Sequence, residues 1–91
     1  MEPRPTLTIT YCTLCRFEAR ATWLAQELLH TFSGHIAGVM IVPGSGGVLD
    51  IKLDDEMIFS RHAAGRDPVI KEVRDALYAR LSGLPERPHG L

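Results

Sequence analysis

A strand-like pattern that runs directly into a Cys-x-x-Cys pair constrains the fold of this chain more than any other feature. Apolar residues occupy every second position of residues 6–11, from Leu7 to Tyr11, and threonines occupy the others. Alternation with this period predicts a strand that buries one face. Cys12 and Cys15, the only two cysteines of the protein, follow at once. The pair is therefore predicted to lie where this strand ends.

A helical pattern follows the pair, and we predict a helix that begins at Thr13 or Leu14 and ends at Phe32. Its apolar side chains recur at intervals of three and four residues, at Leu14, Phe17, Ala21, Leu24 and Leu28. Cysteines at this spacing on a helix start can approach bonding distance, and the unpaired N–H groups there favour a thiolate. Arg16 and Arg20 would add positive potential if they point toward the sulfurs. The pair is thus a candidate dithiol/disulfide site.

Three further strands are predicted, over residues 35–42, 48–53 and 56–61. The first of them has a nearly continuous apolar run and is predicted to be buried and parallel to the strand before the cysteines. The other two form a hairpin whose turn is Asp54-Asp55. Asp67 and Pro68 predict the start of a second helix, with Asp67 as its N-cap, and Gly83 marks its end.

The element order β-α-β-β-β-α predicts a two-layer α/β fold, with a four-stranded mixed sheet and both helices on one face. The preferred strand order is second, first, third, fourth; the alternative pairs the second and third strands as a hairpin. The glycine-rich loop at residues 43–47 would border the cysteines if it lies at the C-terminal edge of the sheet. Residues 61–66 are predicted to be a polar connector.

Length and composition predict a single domain over residues 1–91, with an ordered core of about residues 6–82 and flexible tails at residues 1–5 and 84–91. The protein has 91 residues, of which 45% are hydrophobic, and a formal net charge of −1. This near-neutral charge argues against nucleic acid or an anionic membrane as the main partner. The sequence has no apolar run that could cross a bilayer and no signal-peptide pattern at its N-terminus, so a cytoplasmic location is expected.

Three other interpretations of the cysteine pair remain open. A structural zinc site needs four ligands, but there is no second cysteine pair, and the histidines are scattered at His30, His35, His62 and His89. The cysteines could instead be inert core residues, or a purely structural disulfide, which a reducing cytoplasm disfavours. The acidic run at residues 54–56 is explained by a solvated hairpin tip. No metal site and no cofactor site is predicted.

Several short motifs accompany this element order: Tyr11-Cys12-x-x-Cys15, Gly47-Val48-Leu49-Asp50-Ile51, the hairpin at residues 53–58, and Ser60-Arg61 leading to Gly65-Arg66. With these motifs the chain resembles the selenoprotein W-like (Rdx) family of small thioredoxin-fold proteins, as a cysteine-containing member of bacterial type. The resemblance covers nearly the whole chain, and it implies a thioredoxin-like fold and a thiol oxidoreductase. Some members of that family have selenocysteine at the position of Cys15.

Two functional hypotheses follow. In the first, Cys12 and Cys15 are the catalytic residues of a thiol–disulfide oxidoreductase or redox-responsive protein, whose partners are a low-molecular-weight, glutathione-like thiol or protein thiols. In the second, the pair regulates a protein-interaction module without turnover. The selenium position in relatives implies that Cys15 attacks and Cys12 resolves. The analogy with thioredoxin implies the reverse order, with Cys12 as the more exposed sulfur.

Overall fold

A computed structural model describes residues 4–81, which form a four-stranded sheet with helices packed against it. The elements are β1 (Thr6–Cys12), α1 (Glu18–Phe32), β2 (Gly38–Gly44), β3 (Leu49–Leu53), β4 (Glu56–Ser60), α2 (Arg61–Ala64) and α3 (Ile70–Arg80). Of the two expected tails, residues 1–3 and the whole of residues 84–91 lie outside the described part of the chain, as does Gly83, the predicted end of the second helix.

The strand order is β2-β1-β3-β4, which confirms the preferred topology and excludes the β2–β3 hairpin. β1 pairs in parallel with β2, from Thr6 opposite Gly38 to Cys12 opposite Gly44. On its other side β1 pairs antiparallel with β3, and β3 pairs antiparallel with β4. Because β1 is central, its C-terminal end lies between the ends of two neighbouring strands. This placement brings the connection between β2 and β3 to the cysteines.

The core lies between one face of the sheet and the helices α1 and α3. Leu7 and Ile9 of β1 are fully buried, in one cluster with Leu28 of α1 and Leu77 of α3. Burying an aliphatic side chain of this size contributes about 1.5–3 kcal/mol relative to exposure. The threonines of β1 lie on the opposite face and are only partly buried. The alternation of β1 therefore predicted correctly that the helices cover one face of the sheet.

The second strand differs from its prediction. We expected a buried strand over residues 35–42, but β2 is Gly38–Gly44 and its side chains are partly or largely exposed. Met40 is 55% exposed and Ile41 37%. The reason is that β2 is an edge strand with β1 as its one partner in the sheet. A continuous apolar run does not separate an edge strand from a central one.

The predicted helix starts are also wrong. α1 begins at Glu18, not at Thr13 or Leu14, because residues 13–16 form a turn that the N–H of Arg16 closes by donating to the Thr13 carbonyl at 3.2 Å. Arg16 has φ +59°, a left-handed conformation that no α-helix can include.

α3 begins at Ile70, so Asp67 is not its N-cap. Val69 has extended backbone at that position, and the carboxylate of Glu72 accepts a hydrogen bond from its N–H at 3.4 Å.

A short helix replaces the connector predicted at residues 61–66. α2 begins after Ser60, whose hydroxyl accepts a hydrogen bond from the Ala63 N–H at 3.3 Å. It ends at Gly65, which has φ +71° and donates its N–H to the Arg61 carbonyl at 2.8 Å. A serine cap and a left-handed glycine are ordinary helix-end signals, here five residues apart. Arg61 is thus held as the first residue of a helix that follows the edge strand β4.

Candidate redox site

The structure brings the two predicted site residues into contact. Cys12 is the last residue of β1 and is 1% exposed, whereas Cys15 lies in the following turn and is exposed. Both are free thiols, with 2.6 Å between the two Sγ atoms. A disulfide bond measures about 2.0 Å, so closing the pair requires only a small movement. The expectation that Cys12 would be the more exposed sulfur is wrong.

Backbone groups, not a helix terminus, surround the sulfurs. Because α1 begins at Glu18, neither cysteine belongs to its first turn, where the helix dipole acts. The hydrogen bond with the Cys15 sulfur is the largest cause that lowers the pKa of Cys12, and burial opposes it. The backbone N–H groups of Gly47, Cys15 and Leu14 lower the pKa of Cys12 further, so the loops around the sulfur also favour its thiolate.

The glycine-rich segment lies at the C-terminal end of the sheet and borders the cysteines, which was expected only if it lay there. Its predicted bounds, residues 43–47, are wrong at the start, because Pro43 and Gly44 belong to β2. The N–H of Cys12 donates to the Val48 carbonyl at 2.8 Å, and the N–H of Thr13 donates to the Gly44 carbonyl at 3.2 Å. Gly46 and Gly47 have φ of +71° and +77°, where side chains are strained. These conformations bring the Gly47 N–H close to both sulfurs.

The two thiols have pKa values displaced in opposite directions. The hydrogen bond between the two sulfurs lowers the pKa of Cys12 and raises that of Cys15, because a Cys12 thiolate accepts the bond that the Cys15 thiol then donates. The negative charge of a Cys12 thiolate adds to the increase at Cys15, while the positive charge of Arg61 opposes it. The pair therefore releases its first proton readily and shares the second between the sulfurs.

Arg61 is a cation near the sulfurs to which the sequence analysis gave no electrostatic role, because Arg61 was named only within a family motif and residues 61–66 were interpreted as a connector. Its guanidinium lies over the Phe17 ring, 5.0 Å from the centroid, and its Nε donates to Asp67 at 2.9 Å. Arg16 and Arg20 were expected to add positive potential only if they point toward the sulfurs, and neither is among the main causes of the two pKa shifts. Arg20 donates to Asp67 and also lies over the Phe17 ring. The helix signals around Arg61, a serine before it and Gly65 after it, could have indicated its fixed position.

A groove of about 420 Å³ lies beside the cysteine turn, lined by Tyr11, Thr13, Arg16, Glu18 and Ala19.

Within residues 4–81 there is no group of three or more His, Cys, Asp or Glu side chains that could hold a metal ion. None of the helices described is long and apolar enough to cross a membrane.

Comparison with known proteins identifies the family. The model of the Rdx family matches residues 6–78, which includes the cysteine turn, the whole sheet and most of α3. The chain belongs to the Rdx family. Its similarity to the selenoprotein W-like proteins of that family is therefore confirmed, and membership favours a redox-related role.

Two solved structures are similar to this Rdx protein. A protein of Bordetella parapertussis is 37% identical, with a TM-score of 0.83 over 86% of this chain and 99% of that one. A selenoprotein W-related protein of Vibrio cholerae is 34% identical, with a TM-score of 0.80 over 84% of this chain and 95% of that one. A comparison with curated proteins gives no significant match. The thioredoxin-like α/β fold is thus supported by sequence, topology and solved relatives together.

Proposed function

We propose that this Rdx protein is a thiol–disulfide oxidoreductase, or a redox-responsive protein, that cycles Cys12 and Cys15 between dithiol and disulfide. The observation that supports this most is the 2.6 Å contact between the two sulfurs, one buried and one exposed. Two inert core cysteines would not need an exposed member. The lowered pKa of Cys12 adds a thiolate, which is the reactive form in thiol–disulfide exchange.

The proposed reaction consumes an external disulfide, written RSSR. The Cys15 thiolate attacks one sulfur, a bond forms between Cys15 and that sulfur, and RS⁻ leaves. Cys12 then loses its proton and attacks Cys15, which closes the Cys12–Cys15 disulfide and releases the second RS⁻. The dithiol loses two hydrogens and two electrons, and RSSR becomes two thiols. Cys15 is assigned the attack because it is exposed, and a bulky disulfide cannot reach a sulfur that is 1% exposed.

A low-molecular-weight, glutathione-like thiol or the thiols of other proteins would return the disulfide to the dithiol. Such partners fit a reducing cytoplasm, where we place the protein. The groove lined by Thr13 and Arg16 is formed in part by the turn that contains Cys15, and we propose it as the place where a partner docks.

The experiment is a redox titration. The protein is equilibrated with thiol/disulfide buffers of graded potential, quenched with acid, and its free thiols are alkylated and counted by mass. We expect a reversible transition with a midpoint near the cytosolic glutathione poise, and Cys12→Ser and Cys15→Ser must both abolish it. A pair that never closes reversibly would overturn the proposal and favour an interaction module without turnover. If the pair closes reversibly, a mixed disulfide trapped on Cys15 of the Cys12→Ser variant would identify the class of partner.

A further inference from the structure

Arg61 is a cation at the border of the cysteine site, and its charge acts to lower the pKa of Cys15. It begins α2, and three contacts fix its guanidinium: the Phe17 ring at 5.0 Å, the Asp67 carboxylate at 2.9 Å, and the Gly47 carbonyl at 3.5 Å from Nη1. Gly47 is also the residue whose N–H lies beside both sulfurs. The Arg61 side chain thus contacts three segments: Phe17 after the cysteine turn, Gly47 in the glycine-rich loop, and Asp67 before α3.

The sulfur pair itself presents a difficulty that this cation can resolve. The contact at 2.6 Å is an S–H···S hydrogen bond in which either sulfur can be the donor. When Cys12 holds the charge, the thiolate is buried and the accessible sulfur is a thiol. Because a single proton lies between the two atoms, its transfer from Cys15 to Cys12 moves the negative charge to the exposed sulfur without changing the total charge.

We propose that Arg61 is a positioning residue whose charge favours the form in which this shared proton lies on Cys12 and the exposed Cys15 is the attacking thiolate. The guanidinium acts through its charge, and Phe17 and Asp67 hold it in place. The proton that leaves Cys15 Sγ is accepted by Cys12 Sγ, so no further acid or base is needed before the attack. This inference rests on the proposed function, since it concerns the first step of that exchange.

The ionisable groups of the elements around Cys15 are Cys12 at the end of β1, Arg16 in the turn, Glu18 and Arg20 in α1, Arg61 and His62 in α2, and Asp67 before α3. Among them Arg61 is the cation that lowers the pKa of Cys15. Arg20 and Arg61 both form ion pairs with Asp67, and Arg61 in addition donates from Nη1 to the Gly47 carbonyl at 3.5 Å, in the loop beside the sulfurs. The charge of Arg61 therefore opposes the hydrogen bond and the negative charge of Cys12, which raise the pKa of Cys15.

The test measures the thiolate of each sulfur separately. In the Cys12→Ser background, ultraviolet thiolate absorbance and alkylation are followed against pH with Arg61 intact and with Arg61→Gln. We expect Arg61→Gln to raise the midpoint and to slow alkylation of Cys15 about two- to fivefold at neutral pH, as for other partly exposed charge pairs. Arg61→Lys, which keeps the charge, should restore most of the rate. In Cys15→Ser, the same change should leave Cys12 nearly unaffected.

The matched control is Arg80→Gln. Its side chain is 35% exposed, against 36% for Arg61, and it pairs with Glu56 near the hairpin, at the opposite end of the sheet. Equal midpoints for Cys15 in the Arg61→Gln and Arg80→Gln variants would overturn the proposal. So would an equal loss of rate at both cysteines, since that result indicates disturbed packing.

A measurement on unaltered Arg61 covers the case in which Arg61→Gln does not fold. Raising the salt concentration of the Cys12→Ser protein should slow Cys15 alkylation, because salt screens the charge of Arg61. A rate that does not depend on salt would contradict the proposal. Single-cysteine variants cannot form the internal disulfide, so these results are independent of whether the wild-type pair cycles.

Discussion

The Sγ atoms of Cys12 and Cys15 lie 2.6 Å apart, yet Cys12 is 1% exposed and Cys15 is exposed. Acidity and access are therefore divided between the two sulfurs. The lowered pKa belongs to Cys12, while a large reactant can reach only Cys15. Which sulfur reacts first should depend on the size of the reagent.

We predict that reagent size separates the single-cysteine variants. A bulky aromatic disulfide should modify Cys15 in Cys12→Ser at least about tenfold faster than it modifies Cys12 in Cys15→Ser, because burial blocks in-line approach to the second sulfur. With small iodoacetamide the difference should shrink. Stopped-flow detection of the released aromatic thiol measures the rate with the bulky disulfide, and mass spectrometry measures the rate of alkylation by iodoacetamide. Faster reaction of the bulky reagent at Cys12 would reverse the assignment of attacking and resolving sulfurs.

The second prediction concerns Asp67, which the sequence predicted as the N-cap of the second helix and which the structure shows as the ion-pair partner of Arg20 and Arg61. Its carboxylate accepts hydrogen bonds from Arg20 and from Arg61, in ion pairs whose side chains are about 36–45% exposed. Such pairs contribute about 0.2–1 kcal/mol each. Asp67→Ser and Asp67→Ala should therefore destabilise the protein equally, and the loss should diminish at high salt.

Urea unfolding at low and high salt measures both variants. Serine is a good N-cap, so if Asp67 did cap α3, Asp67→Ser would retain stability that Asp67→Ala loses, by about 1 kcal/mol. That result would contradict the structure, in which Val69 occupies the cap position.

The parts of the fold that the sequence predicted well are those whose signal is local and periodic. Leu7, Ile9 and Tyr11 identified both the strand and its buried face, and the two-residue turn at Asp54-Asp55 fixed the hairpin. Asp54 has φ +51°, a conformation that aspartate tolerates. The cysteine pair was predicted at a strand end because the alternation runs up to Tyr11. Cys12 lengthens β1 by one residue and departs from the alternation, since it is buried directly after the buried Tyr11.

The errors arise where tertiary contacts override local preference. No sequence rule indicates that Arg16 adopts a left-handed conformation and delays α1 to Glu18. Asp67 followed by proline is a strong cap signal, but the Asp67 carboxylate instead accepts hydrogen bonds from Arg20, which is 47 residues away, and from Arg61, which is six residues away. The electrostatic role of Arg61 was missed for the related reason that its partners, Phe17 and Gly47, are far from it along the chain. Electrostatic neighbours of this kind become visible only once the strand order is known.

The Arg66–Glu72 ion pair predicts a pH dependence of stability. Two hydrogen bonds, at 2.8 and 2.9 Å, join the guanidinium to the carboxylate and lower the pKa of Glu72 in the folded protein. A carboxyl group with a lowered folded pKa adds stability that is fully present above its unfolded value, and this stability is lost as the pH falls through the folded value. Because both side chains are well exposed, the contribution is small.

Unfolding of the wild type and Arg66→Gln should therefore differ at neutral pH and converge in acid, at about pH 3 or below. Thermal unfolding followed by circular dichroism at each pH measures the difference. The Arg66→Gln, Glu72→Gln double variant is the control, since it should show no further change relative to Glu72→Gln. A difference that grows as the pH falls would show that the sign of the linkage is wrong.

The adjacent glycines Gly46 and Gly47 allow backbone strain to be separated from the effect on the sulfurs. Both have positive φ, of +71° and +77°, so alanine at either position should cost about 1–2 kcal/mol of stability. Neither substitution causes a clash, since a Cβ on Gly46 meets nothing within 4 Å and one on Gly47 would lie 3.6 Å from His62. Of the two, Gly47 is the one whose N–H lowers the pKa of Cys12.

We therefore predict equal destabilisation but unequal chemistry. Alanine at position 47 relieves its strain by rotating the peptide group, which moves the N–H away from the sulfurs and raises the pKa of Cys12 toward its ordinary value. Gly46→Ala should leave that pKa close to the wild-type value. Urea unfolding measures the first quantity, and thiolate absorbance of Cys12 in the Cys15→Ser background measures the second. An equal increase of the Cys12 pKa in both alanine variants would contradict this prediction. It would show that the conformation of the whole loop, and not the N–H of Gly47, lowers the pKa of Cys12.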